Sequence, residues 1–284
     1  MTATTTSSGS RIGRRFEELR RCGDLGLVAY VTAGDPGIGA TRQIVLAMAE
    51  AGADVIELGV PFSDPLADGP VIQRASERAL AAGTTLAGIF DLVRDVRQTS
   101  DVPLVLFSYF NPVLQFGVER FAEAAAAAGA DGVLITDLPP EESAGYRAAV
   151  RARGLDTIFL AAPTTNEERF RKIAEATSGF LYVVSRTGVT GTREELDQEL
   201  PALLRRARGA TSLPLAVGFG ISLPGHVSLL GGLADAAVVG SALVLEIERA
   251  NSAQEAADSV AARVRLLKGA GLRGMSRRQA VSES

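Results

Sequence analysis

The stretch Ala51-Gly52-Ala53-Asp54-Val55-Ile56-Glu57-Leu58-Gly59-Val60 holds the pattern that organises the whole chain. A helix end is followed by a glycine among small residues, then an aspartate, then a run of apolar strand formers. Ala128-Gly129-Ala130-Asp131 leads in the same way into G-V-L-I-T-D. Arg153-Gly154-Leu155-Asp156 leads into T-I-F-L-A-A, and Gly232-Leu233-Ala234-Asp235 into A-A-V-V-G-S. The four aspartates are 77, 25 and 79 residues apart. Each long gap has room for roughly three units of about 26 residues, the length of a strand, a helix and two turns. Glycine at most of these joints lets a helix C-terminus reach the left-handed conformation.

Four more apolar runs, Leu27–Thr32, Leu104–Phe107, Phe180–Val184 and Leu215–Val217, bring the candidate strands to eight. Between strands lie helical stretches such as Gly37–Ala51, Val118–Ala128, Glu141–Arg153, Asn166–Thr177 and Glu194–Arg208. Their apolar residues recur at three and four, with charges on the opposite face. Continuously apolar strands indicate a parallel sheet covered on both sides. The count and the even period predict an α/β fold, a single (β/α)8 TIM barrel rather than an open doubly wound sheet. An extra N-terminal helix over residues 10–23 is expected to cap the barrel bottom, and a short helix to follow strand 8. The domain reading is a disordered tail at 1–10, a barrel at 11–268 and a flexible tail at 269–284.

Composition narrows the function. With 284 residues, 46% of them hydrophobic, the chain can build one large core. A net charge of −4 without a long basic run argues against nucleic acid as a partner. Cys22 is the only cysteine and His226 the only histidine, which rules out an intrachain disulfide and multi-histidine or cysteine-rich metal sites. No metal is expected, and His226, beside a Pro-Gly turn, reads as a surface or helix-start residue. No stretch approaches the roughly 18 uncharged apolar residues of a membrane span. Residues 1–10 lack the apolar centre of a signal peptide. These features together predict a cytoplasmic protein with no membrane partner.

Glu57 is the residue that composition alone does not explain. An ionised carboxylate inside a buried strand costs several kcal/mol unless it is paired or used. Asp68 lies eleven residues downstream, on the loop Pro61–Pro70 that leaves the same strand. Two carboxylates in different environments can have their pKa values pushed apart, as acid–base chemistry requires. Taken alone, these residues fit a satisfied core glutamate beside a solvated turn equally well. The barrel decides between the readings, because active sites of this fold lie at the strands' C-terminal ends.

Across the barrel, three glycine-bearing segments follow strands 6, 7 and 8: Ser185–Gly191, Gly218–Ser222 and Gly240-Ser241. Glycines let backbone N–H groups approach an anion, and a helix N-terminus adds a favourable dipole. Loops after strands 7 and 8 form the usual phosphate site of this fold. A phosphorylated substrate is therefore expected, with a phosphate-binding helix opening at Ser241.

These motifs, in this order, resemble the tryptophan synthase alpha chain family over about residues 14–268. The resemblance is carried by V-T-A-G-D-P after strand 1, I-E-L-G-V-P-F-S-D-P-L-A-D-G-P at strand 2 and Y-F-N-P after strand 3. It continues through T-D-L-P-P-E-E, A-P-T-T, S-R-T-G-V-T-G and G-F-G-I-S after strands 4 to 7. The resemblance implies a lyase of tryptophan biosynthesis that cleaves indole-3-glycerol phosphate to indole and glyceraldehyde 3-phosphate. Glu57 and Asp68 match its catalytic carboxylates. Tyr182 matches a pocket tyrosine that orients Glu57 or the glycerol hydroxyl, although a core tyrosine with a satisfied hydroxyl fits as well.

By the same resemblance Gly191, Gly220, Gly240 and Ser241 hold the phosphate, and Thr190 pairs with Asp68 when its loop closes. Tyr30, Phe107, Ile135 and Phe219 are candidates for the indole wall, with Phe107 larger than the aliphatic residue the family often has there. The family works as an αββα heterotetramer, in which pyridoxal phosphate belongs to the beta subunit and this chain needs no cofactor. The loop of Asp64 and Asp68, with Tyr109–Pro112 and Asp137–Pro140, is then expected to face that partner. A stand-alone lyase, a non-catalytic activating subunit and an unrelated phosphate-binding isomerase barrel are the alternatives.

Overall fold

The computed structural model describes residues 9–185, 199–218 and 220–282, with 273–282 described as backbone only. The strands are β1 (Gly26–Thr32), β2 (Val55–Gly59), β3 (Leu104–Ser108), β4 (Gly132–Ile135), β5 (Asp156–Ile158), β6 (Leu160–Ala161), β7 (Leu181–Val184), β8 (Leu215–Gly218) and β9 (Ala236–Val239). All pairings are parallel, in the order β5-β4-β3-β2-β1-β9-β8-β7-β6. The two ends of that order are neighbours in the chain. β5 pairs with β4 and β6 with β7, separated only by Phe159, whose carbonyl accepts from the Tyr182 N–H at 3.1 Å. They are two halves of one stave, so the nine strands close an eight-staved barrel.

Side chains alternate between two cores. Val28, Tyr30, Val105, Phe107, Leu134 and Tyr182 belong to the cluster inside the barrel. Ala29, Leu58, Leu106, Val133 and Phe159 join the larger cluster that includes residues of the surrounding helices. Helix α1 (Arg11–Cys22) starts at Ser10, whose Oγ accepts from the Gly13 N–H at 3.0 Å. It sends Ile12, Phe16 and Leu19 into the inner cluster, with the Phe16 and Phe180 rings 5.7 Å apart. The helix plugs the bottom, as its sequence predicts.

Three of the four repeated aspartates share a physical task. Asp54 Oδ2 accepts from the Leu27 N–H at 2.6 Å, and Asp131 and Asp235 accept from Leu104 and Leu215 at 2.8 Å. Each carboxylate reaches sideways to the first amides of the neighbouring strand, which the parallel ladder leaves without a partner. Each is also gripped by a cation: Asp54 by Arg15 and Lys268, Asp131 by Arg11 and Arg97, Asp235 by Arg208.

The even three-unit spacing fails in the first gap. Asp54 to Asp131 holds two strands, each followed by two helices: α3 (Pro70–Ala81) and α4 (Leu86–Arg97) after β2, α5 (Phe110–Phe116) and α6 (Val118–Ala128) after β3. Gly83 (φ 79°) and Gly117 (φ 92°) break the pairs. The remaining helices are α2 (Ile38–Glu50), α7 (Ala144–Ala152), α8 (Glu167–Ala176), α9 (Leu200–Ala210), α10 (Pro224–Leu230), α11 (Ser241–Arg249) and α12 (Ala253–Ser282). The backbone of α12 stays helical past Lys268 to Ser282, through most of the segment read as a tail. Among the described residues no helix is long and apolar enough to cross a membrane.

Candidate active site

Glu57 is the third residue of the five-residue strand β2, with 1% of its surface exposed. Its neighbours Ile56 and Leu58 point into the outer core, so strand alternation turns Glu57 into the barrel. Among the described residues its Oε1 has no hydrogen-bond partner. Burial raises the carboxyl to about 8, the direction expected when a charge loses water and gains no partner. Burial thus favours the protonated form of Glu57 at neutral pH.

Asp68 sits two residues before α3. Desolvation raises its carboxyl to about 6, opposed by a hydrogen bond from Tyr109. The Tyr109 oxygen in turn accepts from the Ala67 N–H at 2.9 Å, and its ring lies 5.3 Å from Phe62. One tyrosine thus holds both the backbone and the carboxylate of this loop. Tyr109 appears in the sequence only as part of a partner-facing motif, and its place directly after β3 was the available signal.

Tyr30 and Tyr182 complete the chamber. Burial raises both phenols, and the charges of Glu57 and Asp68 push each further in the same direction. All four groups thus share one electrostatic environment. Each tyrosine lies across a glycine of a neighbouring strand: a Cβ at Gly59 would overlap the Tyr30 hydroxyl, and one at Gly218 the Tyr182 hydroxyl. Gly59→Ala is accordingly expected to displace Tyr30, destabilise the chain by about 1–3 kcal/mol and lower activity. Urea unfolding and steady-state assays measure the two effects.

The aromatic wall is partly as expected. The Tyr30 and Phe107 rings meet edge-on at 5.2 Å. Ile135 is not with them; it belongs to the outer core, while Leu134 is its inward-facing neighbour. The register Phe107↔Leu134 carries that assignment.

On the phosphate side, Gly240 is the N-cap residue of α11 and brings no side-chain cap to that helix end. The Tyr30 ring lies against Gly240, so one side chain touches both the carboxylate half and the helix half of the chamber. Gly220 (φ 83°) lies in the turn after β8 and is exposed, as is Ser241. Thr190, Gly191 and Phe219 lie outside the described residues. His226 is a helix-start residue but not a surface one: it is 3% exposed, and its Nδ1 accepts from the Ser222 N–H at 3.4 Å. It therefore steadies the Gly220–Ser222 turn. Among the described residues no group of three or more His, Cys, Asp or Glu is placed to hold a metal ion.

The chain and its closed parallel barrel are matched by known proteins. The family model described as tryptophan synthase alpha chain matches residues 16–271. The chain belongs to this family. The tryptophan synthase alpha chain of Solibacter usitatus is 56% identical over 240 residues, 84% of this chain and 90% of that one. That of Geobacter sulfurreducens is 51% identical over 245 residues, 86% and 93% of the two chains. Mycobacterium tuberculosis tryptophan synthase has a similar structure, with a TM-score of 0.85 at 35% identity over 92% of this chain and 98% of that one. The tryptophan synthase complex from Pyrococcus furiosus gives 0.80 at 41% identity over 87% and 98%. The alpha chain match spans both carboxylates, the three barrel tyrosines and the helix end at Gly240-Ser241.

Proposed function

We propose that this chamber carries out the lyase half-reaction of the family, the retro-aldol cleavage of indole-3-glycerol phosphate to indole and glyceraldehyde 3-phosphate. The observation that carries this reading is the buried Glu57, whose Oε1 has no partner among the described residues and whose carboxyl burial raises, in the same chamber as Asp68. Glu57 delivers its proton to indole C3, which makes the bond from C3 to the glycerol carbon breakable. As that bond breaks, its electrons return to the ring, and the adjacent hydroxyl gives up its proton to Glu57 and becomes the aldehyde. The glutamate ends the cycle protonated, as it began. Asp68 stays ionised, accepts the indole N–H and balances the positive charge that builds on the protonated ring. Tyr109 orients Asp68, and Tyr182 and Tyr30 flank Glu57.

Gly220, Gly240 and Ser241 supply backbone N–H groups and the α11 dipole to the phosphate, joined on this reading by Gly191. Thr190 closes over Asp68, and Phe219 joins Tyr30, Phe107 and Leu134 around the indole. Two exposed leucines support a partner surface: Leu66 on the Asp68 loop, 93% exposed, and Leu114 on α5, 53% exposed. A beta subunit docked there in an α2β2 complex would receive the indole and hold pyridoxal phosphate itself. A cytoplasmic location fits the single thiol.

Indole release from indole-3-glycerol phosphate by the purified chain, with and without beta subunit, tests the reading. kcat/KM is expected to be bell-shaped, because the productive form needs Asp68 ionised and Glu57 protonated. Its limbs should lie near the two carboxyl values, about 6 and about 8. Asp68→Asn should remove the acidic limb; an unchanged profile in that variant would contradict the role given to Asp68.

A further inference from the structure

Helix α3 begins two residues after Asp68, and the Gln73 Nε2–H donates to the Asp68 carbonyl at 2.9 Å. The Asp68 loop is thus tied to the first turn of α3. Further along α3, Arg78 makes a two-pronged contact with Asp35, Nε to Oδ1 and Nη2 to Oδ2, both at 2.8 Å. Asp35 is 1% exposed and lies on the loop after β1, the strand that carries Tyr30. The third prong, Nη1, reaches Glu248 Oε1 at 2.9 Å, and Arg74 holds the same carboxylate at 2.7 and 2.8 Å. Glu248 is in the last turn of α11, the helix whose other end is Gly240-Ser241. One planar guanidinium thus joins the loop after β1, the helix that follows Asp68 and the helix assigned to the phosphate.

We propose that Arg78 is a positioning residue that fixes the distance between the carboxylate end and the phosphate end of the substrate site. The proposal rests on the substrate reading above, in which one molecule touches Asp68 and α11 together. A rigid fork suits this task, because a lysine at the same place keeps the charge and loses the fixed geometry. An error of about 1 Å in such alignment can cost on the order of 10²-fold in rate. A purely structural ion pair would instead affect stability and leave the relation between the two ends alone.

Arg78→Lys and Glu248→Gln separate these readings, the second leaving the Arg78–Asp35 fork intact so that a folding failure of the first does not end the test. Ligands that touch one end only, inorganic phosphate or indole, should inhibit the variants as they inhibit the parent. The linked ligand indole-3-propanol phosphate should bind more weakly, and kcat/KM for indole-3-glycerol phosphate should fall about 10- to 100-fold in Arg78→Lys. Glu248→Gln should shift both in the same direction by less. Parent-like binding of the linked ligand, or an equal loss for all three ligands, would overturn the proposal. Absence of indole release from the parent chain would overturn the substrate reading instead, so the two failures are distinguishable.

Discussion

Glu57→Gln is expected to lower indole release by at least ~10²–10⁴-fold, the usual cost of removing a proton-transferring group, and by more if the residue serves twice. The same variant is expected to melt at a higher temperature than the parent at pH 9. The sign follows from linkage. The carboxyl rises from 4.5 to about 8 in the folded chain, so between those values the native state holds a proton that the unfolded state has released. The stability associated with that proton is fully present below pH 4.5 and is lost as pH rises through 8. At pH 9 the parent buries an unpaired charge, costing up to about 5 kcal/mol on this accounting, and the neutral amide avoids it. Thermal melts at pH 5 and pH 9 should therefore show near-equal chains at the lower pH and a more stable variant at the higher. A variant less stable at both would mean that Glu57 is held by a partner and is not waiting for substrate.

The second large effect is at the opposite end of the barrel. Asp54→Ala is expected to destabilise the chain by about 3–5 kcal/mol, because removing one partner of a buried ion pair strands the others. Asp54 is 1% exposed and meets Arg15 Nη2 and Lys268 Nζ at 2.6 Å each, together with the Leu27 N–H. Lys268, with a side chain 13% exposed, would be left in a poorly solvated place without its counter-charge. Chemical denaturation gives the magnitude. Indole release at low denaturant should stay close to the parent value, since Asp54 lies at the strand's far end from the chemistry.

How much of this was legible depended on the kind of signal. The aspartate repeat was visible because several staves use the same solution at their start: a carboxylate that satisfies an amide of the preceding strand. What the aspartates bind was not visible, since Leu27 and Lys268 are remote in sequence from Asp54. Glu57 stood out as one carboxylate in an apolar run. Ile135 was misplaced for a related reason: when both faces of a strand are buried, composition does not tell the inward residue from its neighbour. Tyr109 needed three dimensions, because its partner Asp68 comes from another strand's loop. The doubled helices after β2 and β3 defeated an even-period count, although the glycines that divide them were in plain view.

Asp54 also has a consequence in time. Its ligands come from α1 and α12, near opposite ends of the chain, and Lys268 follows it by 214 residues. At synthesis rates of about 5–20 residues per second, a ribosome takes roughly 10–40 s to supply Lys268 after Asp54 has been made. For most of that interval β1 also lacks β9, its other neighbour, which is complete only at Val239. The nascent chain must therefore carry an open sheet edge until β9 is made and a half-neutralised carboxylate until α12 is made, so the underside of the barrel is completed only after its staves.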